Sequence, residues 1–239
     1  MELREDGWLA GLFGHPVFRV EVRAADDGPE TTERLRRHAG EQAAAFYYAK
    51  VDTAEVARVR RLLAAGFAVV DVNVVFDLTR PPFGKLAVPA DLEVGDAEPT
   101  EERAVLAIAE SAFRFSRFHL DPQVSTALAN RIKRDWVANY FARQRGDRLL
   151  AARRGGRPVG FLAALLADRT AVIDLIAVAT DAQRSGVGEA LVGAFADGYA
   201  SAAGRIVGTQ VANIPSTRFY EKLGFSLRQS QYVLHLHVG

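Results

Sequence analysis

Two short stretches carry residue types whose spacing could do chemistry. The first is Gln183-Arg184-Ser185-Gly186-Val187-Gly188. Glycines there let the backbone come close to a ligand. If a helix opens at this point, its free N–H groups and its dipole favour an anionic phosphate. Arg184 can add charge-assisted hydrogen bonds. The loop is not a P-loop, because no Gly-Lys-Ser/Thr follows. Glu189-Ala190-Leu191 comes next, so the third glycine of the dinucleotide fingerprint is also missing. Taken alone, such a loop is equally a structural turn.

The second stretch is Asn213-Ile214-Pro215-Ser216-Thr217-Arg218-Phe219-Tyr220-Glu221-Lys222-Leu223-Gly224-Phe225. Pro215 suits an early helical position, and Asn213 can cap just ahead of it. The Asn213 amide could equally serve a ligand. Tyr220 lies further along the same helix, where its phenol is either a proton donor to a leaving group or a packed aromatic. A third segment, Phe113–Asp121, sets Arg114, Ser116, Arg117 and His119 among phenylalanines. Its arginines could meet an anion. The alternative is a core-facing aromatic ladder with solvated arginines. Asp174, His119 and a water chain are candidate bases. Asp174 could instead bond a helix end, and His119 could be an exposed loop residue, so the base stays open.

Residues 170–180, just ahead of the glycine loop, are nearly all apolar and read as a buried central strand. A helix over 186–203, a strand over 206–212, a helix over 215–223 stopped by Gly224, and one or two closing strands follow. Upstream, Thr100 could cap a helix running to Phe113. Residues 122–143 place Ile132, Trp136 and Tyr140 on one helical face. The strands 148–154 and 158–167 flank Gly155-Gly156 as a hairpin. The N-terminal part reads strand 17–23, helix 31–45, strand 46–51, helix 54–65 and strand 68–78. Asp52-Thr53 offers the second helix a cap, and Gly66 its stop.

Thr79-Arg80-Pro81-Pro82-Phe83-Gly84 punctuates the chain. This divides it into an N-terminal α/β half-domain, 1–85, and a larger domain, 86–239. The fold class is α/β, with a mixed, partly parallel central sheet and helices on both faces. An internal echo links the two parts. Offset by 158 positions, Gly66-Phe67 falls on Gly224-Phe225, Leu62 on Tyr220 and Glu55 on Asn213. Either any helix–Gly–strand unit looks like another, or the N-terminal part is a half-copy that lost the polar residues.

Composition narrows the function classes. The 239 residues hold 30 basic and 29 acidic side chains, a net charge of +1, so no basic excess points to nucleic acid. Absence of cysteine excludes a disulfide scaffold, a thiol nucleophile and a Cys-based zinc site, and no metal is expected. The first residues carry charge, and Gly11, Gly14, His15 and Pro16 break the apolar stretch, so no signal peptide is read. No apolar run reaches membrane-spanning length, and the cytoplasm is the expected location.

Together the glycine loop and the Asn213–Phe225 stretch resemble the GNAT superfamily of acyl-CoA-dependent N-acetyltransferases, over roughly 90–238. The resemblance implies acetyl-CoA as co-substrate. It implies that the backbone of Ile176, Ala177 and Val178 pairs with the pantetheine arm. Arg184, Ser185, Gly186, Val187 and Gly188 would hold the pyrophosphate, Asn213 would bond the cofactor arm, and Tyr220 would protonate the departing thiolate. An N–H near Ile176 or Ala177, exposed by splayed central strands, would polarise the carbonyl. The amine attacks directly, without metal or covalent intermediate.

Ser116-Arg117-Phe118, the helix with Asp135-Trp136-Val137-Ala138-Asn139-Tyr140-Phe141, Leu12-Phe13-Gly14 and the N-terminal half-domain resemble a narrower group. These are the bacterial dTDP-fucosamine (dTDP-4-amino-4,6-dideoxygalactose) acetyltransferases. The acceptor so implied is a dTDP-linked amino-deoxy sugar, whose diphosphate would meet Arg114, Ser116, Arg117 and His119. Competing readings are another small amine, a protein N-terminus, or a non-catalytic acyl-CoA-binding protein. Cationic acceptors would favour an acidic loop, whereas this one sets Arg114 and Arg117 against Asp121. The oligomeric state stays open, a homodimer included.

Overall fold

In the computed structural model of the chain, which describes residues 1–23, 28–78 and 89–239, ten strands join one sheet. The Thr79–Gly84 boundary lies outside the described residues. The N-terminal part contains β1 (Glu2–Glu5), α1 (Gly7–Phe13), β2 (Val17–Glu21), α2 (Pro29–Gly40), β3 (Ala45–Asp52), α3 (Val56–Ala64) and β4 (Ala68–Leu78). Next come β5 (Leu92–Asp96), α4 (Glu102–Ala112), α5 (Thr126–Phe141), β6 (Arg148–Arg154), β7 (Arg157–Ala167) and β8 (Thr170–Val178). The chain closes with α6 (Val187–Gly198), β9 (Gly204–Gln210), α7 (Ile214–Lys222) and β10 (Phe225–Val238). Among the described residues no helix is long and apolar enough to cross a membrane.

Strand order is β1-β2-β3-β10-β4-β9-β8-β7-β6-β5. The pairs β2·β3 and β8·β9 are parallel and the rest antiparallel, giving the mixed α/β sheet expected. The centre of this order is an exchange. β10 pairs with β3 of the N-terminal half, and β4 pairs with β9 of the C-terminal half. Under the 158-residue offset β3 answers to β9, α3 to α7 and β4 to β10, so the order β3-β10-β4-β9 is symmetric. Gly66 (φ +102) and Gly224 (φ +86) both end their helices in the left-handed region, where glycine meets no steric cost. The echo is therefore carried by matching elements in matching places.

Several local expectations differ from the structure. Thr100 does not cap α4. A 3-10 turn, Pro99–Glu101, starts the helix earlier, and the Glu101 carboxylate accepts the Glu98 N–H at 2.7 Å. Asp52 and Thr53 do not cap α3. Asp52 Oδ1 instead accepts the Ala54 N–H at 2.9 Å in a local turn, and Glu55 precedes the helix without a side-chain cap. β8 alternates buried and half-buried residues instead of being buried throughout. β10 is one fourteen-residue strand, bent by register shifts against β4, so no second closing strand forms.

Helices cover both faces. On the front, α1 and α5 bury Leu9, Ala129 and Ile132 with Phe46 of β3. Further along the same face, α4 and α5 bury Val105, Val137 and Tyr140 with Phe161 and Leu175 of β7 and β8. On the back, α2 and α3 cover Tyr47, while α6 and α7 cover Phe76, Leu162 and Ile173. Burying side chains of this size contributes about 2 kcal/mol each. α5 thus crosses from the N-terminal half to β8, over the central strands.

Candidate active site

β8 and β9 pair only from Thr170↔Gly204 to Ile173↔Val207, although β8 continues to Val178 and β9 to Gln210. Beyond Ile173 the two parallel strands part. A bulge sits at the parting: Ala164 faces Ile173 and Ala163 faces Leu175, so Asp174 is the extra residue. It turns Asp174 and Leu175 together toward the front helices. Ala179 N–H donates to Val159 O at 2.9 Å. Antiparallel alternation then points the Ala177 backbone toward β7, and those of Ile176 and Val178 toward the opening. Of the three residues expected to meet a cofactor arm, Ile176 and Val178 have their amides on the open side.

The glycine loop follows β8 through a 3-10 turn, Thr180–Ala182. Arg184 (φ +59) and Gly186 (φ +82) are left-handed, and Gly186 leads into α6 with no side-chain cap. The first N–H groups of this helix therefore meet no capping side chain. A Cβ on Gly188 would lie 3.1 Å from the Phe219 ring, so the glycine lets α6 close on α7. Val187 is buried under the sheet and anchors the helix start. Arg184 is exposed. Ser185 Oγ donates to Ala182 O at 2.7 Å and accepts from Arg154 Nη2 at 3.3 Å. Arg154, not singled out from the sequence, brings a second guanidinium to the loop from the end of β6.

Asn213 Oδ1 accepts the Ser216 N–H at 3.3 Å, and its Nδ2 donates to Thr209 Oγ1 at 3.3 Å. It both caps α7 and ties it to the free end of β9. Tyr220 is buried among the rings of Phe76, Phe219 and Phe225. Burial pushes its phenol above the ordinary value, so it keeps its proton at neutral pH. The Tyr220 ring is packed, and its hydroxyl has no hydrogen-bond partner among the described residues.

In the Phe113–Asp121 segment, His119 is engaged at both ring nitrogens. Nε2 bonds Asn130 Oδ1 at 2.9 Å and Nδ1 bonds Ser116 Oγ at 2.6 Å. Donation to Asn130 fixes the tautomer, so Nδ1 accepts the Ser116 hydroxyl. Burial lowers the His119 pKa. Ser116 and His119 brace the loop against α5. Arg114 is exposed and donates to Phe113 O at 2.7 Å. Arg117 lies 4.0 Å above the Tyr48 ring and 4.3 Å from that of Phe118, with Nη1 3.3 Å from His235 Nε2. Desolvation pulls its guanidinium down to about 10.

His235 Nδ1 and His237 Nε2 both bond Asp121 Oδ2, at 2.6 and 2.8 Å. Burial opposes ionisation of Asp121, but these bonds hold its carboxyl well below the usual range. Burial pushes His235 down to about 4. At neutral pH His235 is therefore uncharged, gives Nδ1–H to Asp121 and offers the Nε2 lone pair to Arg117. Asp121, His235 and His237 are metal-ligand types in one cluster. Their direct hydrogen bonds are shorter than the roughly 3.3 Å that separates two ligand atoms on a tetrahedral zinc. Asp174 is likewise occupied, by Trp136 Nε1 (2.8 Å), Tyr140 OH (2.7 Å) and Arg145 Nε and Nη2 (2.7 and 2.9 Å). It pins α5 to the bulge, with three of these donors on Oδ2 and one on Oδ1. A surface groove lined by Thr100, Arg103, Glu110 and Arg134 contains none of these residues.

The acetyltransferase (GNAT) family model matches residues 105–225. The spore coat polysaccharide biosynthesis protein SpsD of Bacillus subtilis is 29% identical over 170 residues, covering 70% of this chain and 58% of the relative. The chain thus spans under two thirds of that relative's length. Among solved structures, a GCN5-related N-acetyltransferase from Sphaerobacter thermophilus aligns with a TM-score of 0.66 at 15% identity, over 93% of this chain and 73% of the other. A tandem GNAT protein from the clavulanic acid biosynthesis pathway aligns with a TM-score of 0.61 at 14% identity, over 95% and 76%. These two likenesses concern the fold.

Proposed function

The chain belongs to the acetyltransferase (GNAT) family, and on that premise we propose that it transfers an acetyl group from acetyl-CoA to the amine of a nucleotide-linked amino-deoxy sugar. The observation that carries the reading is the parting of β8 from β9 after Ile173↔Val207, with an uncapped helix start just beyond it. The opening gives a thioester a slot between strands. The Ile176 and Val178 amides offer the cofactor arm strand-like hydrogen bonds. The Gly186–Gly188 helix start, with Arg184 and Arg154, receives the pyrophosphate. Acceptor and thioester are held for direct attack, and the Ile176 N–H lies on the side where the carbonyl oxygen gains charge.

Tyr220 gives its proton to the departing thiolate as the C–N bond forms and the C–S bond breaks. The surplus proton of the new amide nitrogen leaves through water. The 86–239 part carries acetyl-CoA in this reading, and the 1–85 part forms the far wall of the acceptor side. Arg117 supports a sugar nucleotide acceptor, because it is an oriented guanidinium without a carboxylate among the described residues. The polysaccharide biosynthesis role in the name of the Bacillus subtilis relative agrees with such an acceptor. The test is steady-state turnover of acetyl-CoA with a dTDP-amino sugar by the wild type and Tyr220→Phe. Turnover should fall about a hundredfold, with acetyl-CoA affinity retained. Equal turnover at every pH contradicts the role of Tyr220.

A further inference from the structure

The front of the sheet is polar between β3 and β8, where α5 passes over it. Lys50 on β3 shares a face with Tyr48, two residues earlier. It stands in register with Val233 of β10, which in turn faces Asp71 of β4. Asp71 is 7% exposed, and its Oδ2 is sealed without a hydrogen-bond partner. Lys133 on α5 is 8% exposed. Its ammonium lies 4.9 Å from the Trp136 ring and 5.1 Å from the Phe113 ring. Among the described residues it pairs with no carboxylate, and it is not among the sealed polar atoms. Lys50 and Arg117 likewise have no carboxylate partner among the described residues.

Arg117 and Lys50 both bear on Lys133, and Arg117 on Lys50, so three cations from β3, the loop between α4 and α5, and α5 stand near one another on the front of the sheet. Like charges so placed repel; the carboxylates that offset them, Asp6 toward Arg117, Asp71 and Asp174 toward Lys50 and Asp174 toward Lys133, act from beyond ion-pair distance. Lys133 is pulled down to about 7 by burial and by Arg117, Lys50 and Arg145, against Asp174. Lys50 keeps an exposed surface, yet burial of its ammonium, with Arg117 and Arg19, pulls it down to about 8 against Asp71 and Asp174.

We propose that Lys50, Arg117 and Lys133 form a receptor for the diphosphate of the acceptor, with the N-terminal half supplying one wall of it. The acceptor's identity rests on the acetyltransferase reading. The anion chemistry does not. A diphosphate would meet three cations that have no carboxylate in ion-pair contact among the described residues, and Arg117 is held for it by the His235–Asp121 pair. The same chemistry could come from the phosphates of coenzyme A, which the experiment separates.

The test is calorimetric titration of the full chain with inorganic pyrophosphate, with dTDP and with coenzyme A, at pH 7.5. Wild type should bind dTDP and pyrophosphate, taking up protons as Lys133 and Lys50 recharge. Affinity should weaken as pH climbs above about 8. Lys133→Met keeps the stem's packing and removes a buried amine without an ion-pair partner, so its melting temperature should not fall. With Lys50→Gln added, dTDP affinity should drop tenfold or more while coenzyme A affinity holds. No dTDP binding by wild type, equal dTDP binding by the double variant, or displacement of dTDP by coenzyme A each overturns the proposal. Because no turnover is read, dTDP binding lost in the variant supports this site even if no amine is acetylated.

Discussion

Arg145 and Asp174 meet as a two-pronged ion pair at the bulge of β8, with Nε and Nη2 donating at 2.7 and 2.9 Å. Trp136 and Tyr140 bond the same carboxylate from α5. The cluster clamps α5 onto β8 where β8 has lost β9 as a neighbour. It holds the opening by tying one of its edges to the front layer.

Replacing Arg145 by Met leaves a buried carboxylate with two neutral donors. Stability should fall by about 2 kcal/mol, less than the roughly 3–5 kcal/mol of a fully buried pair because Arg145 is partly exposed. Denaturant unfolding measures this. Turnover should fall more than acetyl-CoA affinity, since the bulge and not the pyrophosphate loop is disturbed. An unchanged midpoint contradicts the clamp.

His235 gives stability a defined pH dependence. Its folded pKa, about 4, lies below the ordinary 6.5. As pH falls from 6.5 toward 4, the unfolded chain binds a proton that the folded protein refuses, so stability is lost across that window. Burial shifts His119 in the same direction. His235→Phe should flatten the loss between pH 6.5 and 4 and raise the KM for a nucleotide-linked acceptor several-fold, because Arg117 loses its Nε2 partner. Thermal melts across pH, with acceptor kinetics, read both effects. A parallel pH slope with unchanged KM removes His235 from the positioning role.

Gly186 should tolerate no branched side chain. Its φ of +82 is a conformation that L residues rarely adopt, and a Cβ there would lie 3.0 Å from Pro89. Gly186→Val should weaken acetyl-CoA binding tenfold or more while most of the melting temperature survives. Titration with acetyl-CoA checks it. Retained affinity would move the pyrophosphate away from this helix start.

The glycine loop and the start of α7 were legible because their signals are local: Gly186 and Gly188 in one short loop, a capping Asn213, an early Pro215. Most elements followed from apolar periodicity. β1 and α1 went unread, although Asp6 caps α1 by accepting the Leu9 N–H at 3.0 Å and Gly14 closes it at φ +77. Charge and glycine in that stretch argued against a signal peptide and obscured the short helix. The bulge at Asp174 has no sequence mark, since an apolar run reads the same with or without an extra residue. Asp121, His235 and Arg117 could not be linked because β10 returns to the N-terminal half from the far end of the chain. Lys50 and Lys133 carry no mark of their own in the sequence, and only the exchange of β4 and β10 with the passage of α5 brings them to the same face.

Release of coenzyme A thiol from acetyl-CoA against a panel of amines tests the account most directly. The panel holds dTDP- and UDP-amino sugars, free amino sugars, polyamines, an aminoglycoside and a short peptide. The account predicts turnover with nucleotide-linked amino sugars, well above that with their free sugars, and none with polyamines or aminoglycosides. Turnover confined to a cationic amine or a peptide N-terminus, with nucleotide sugars inert, would contradict it.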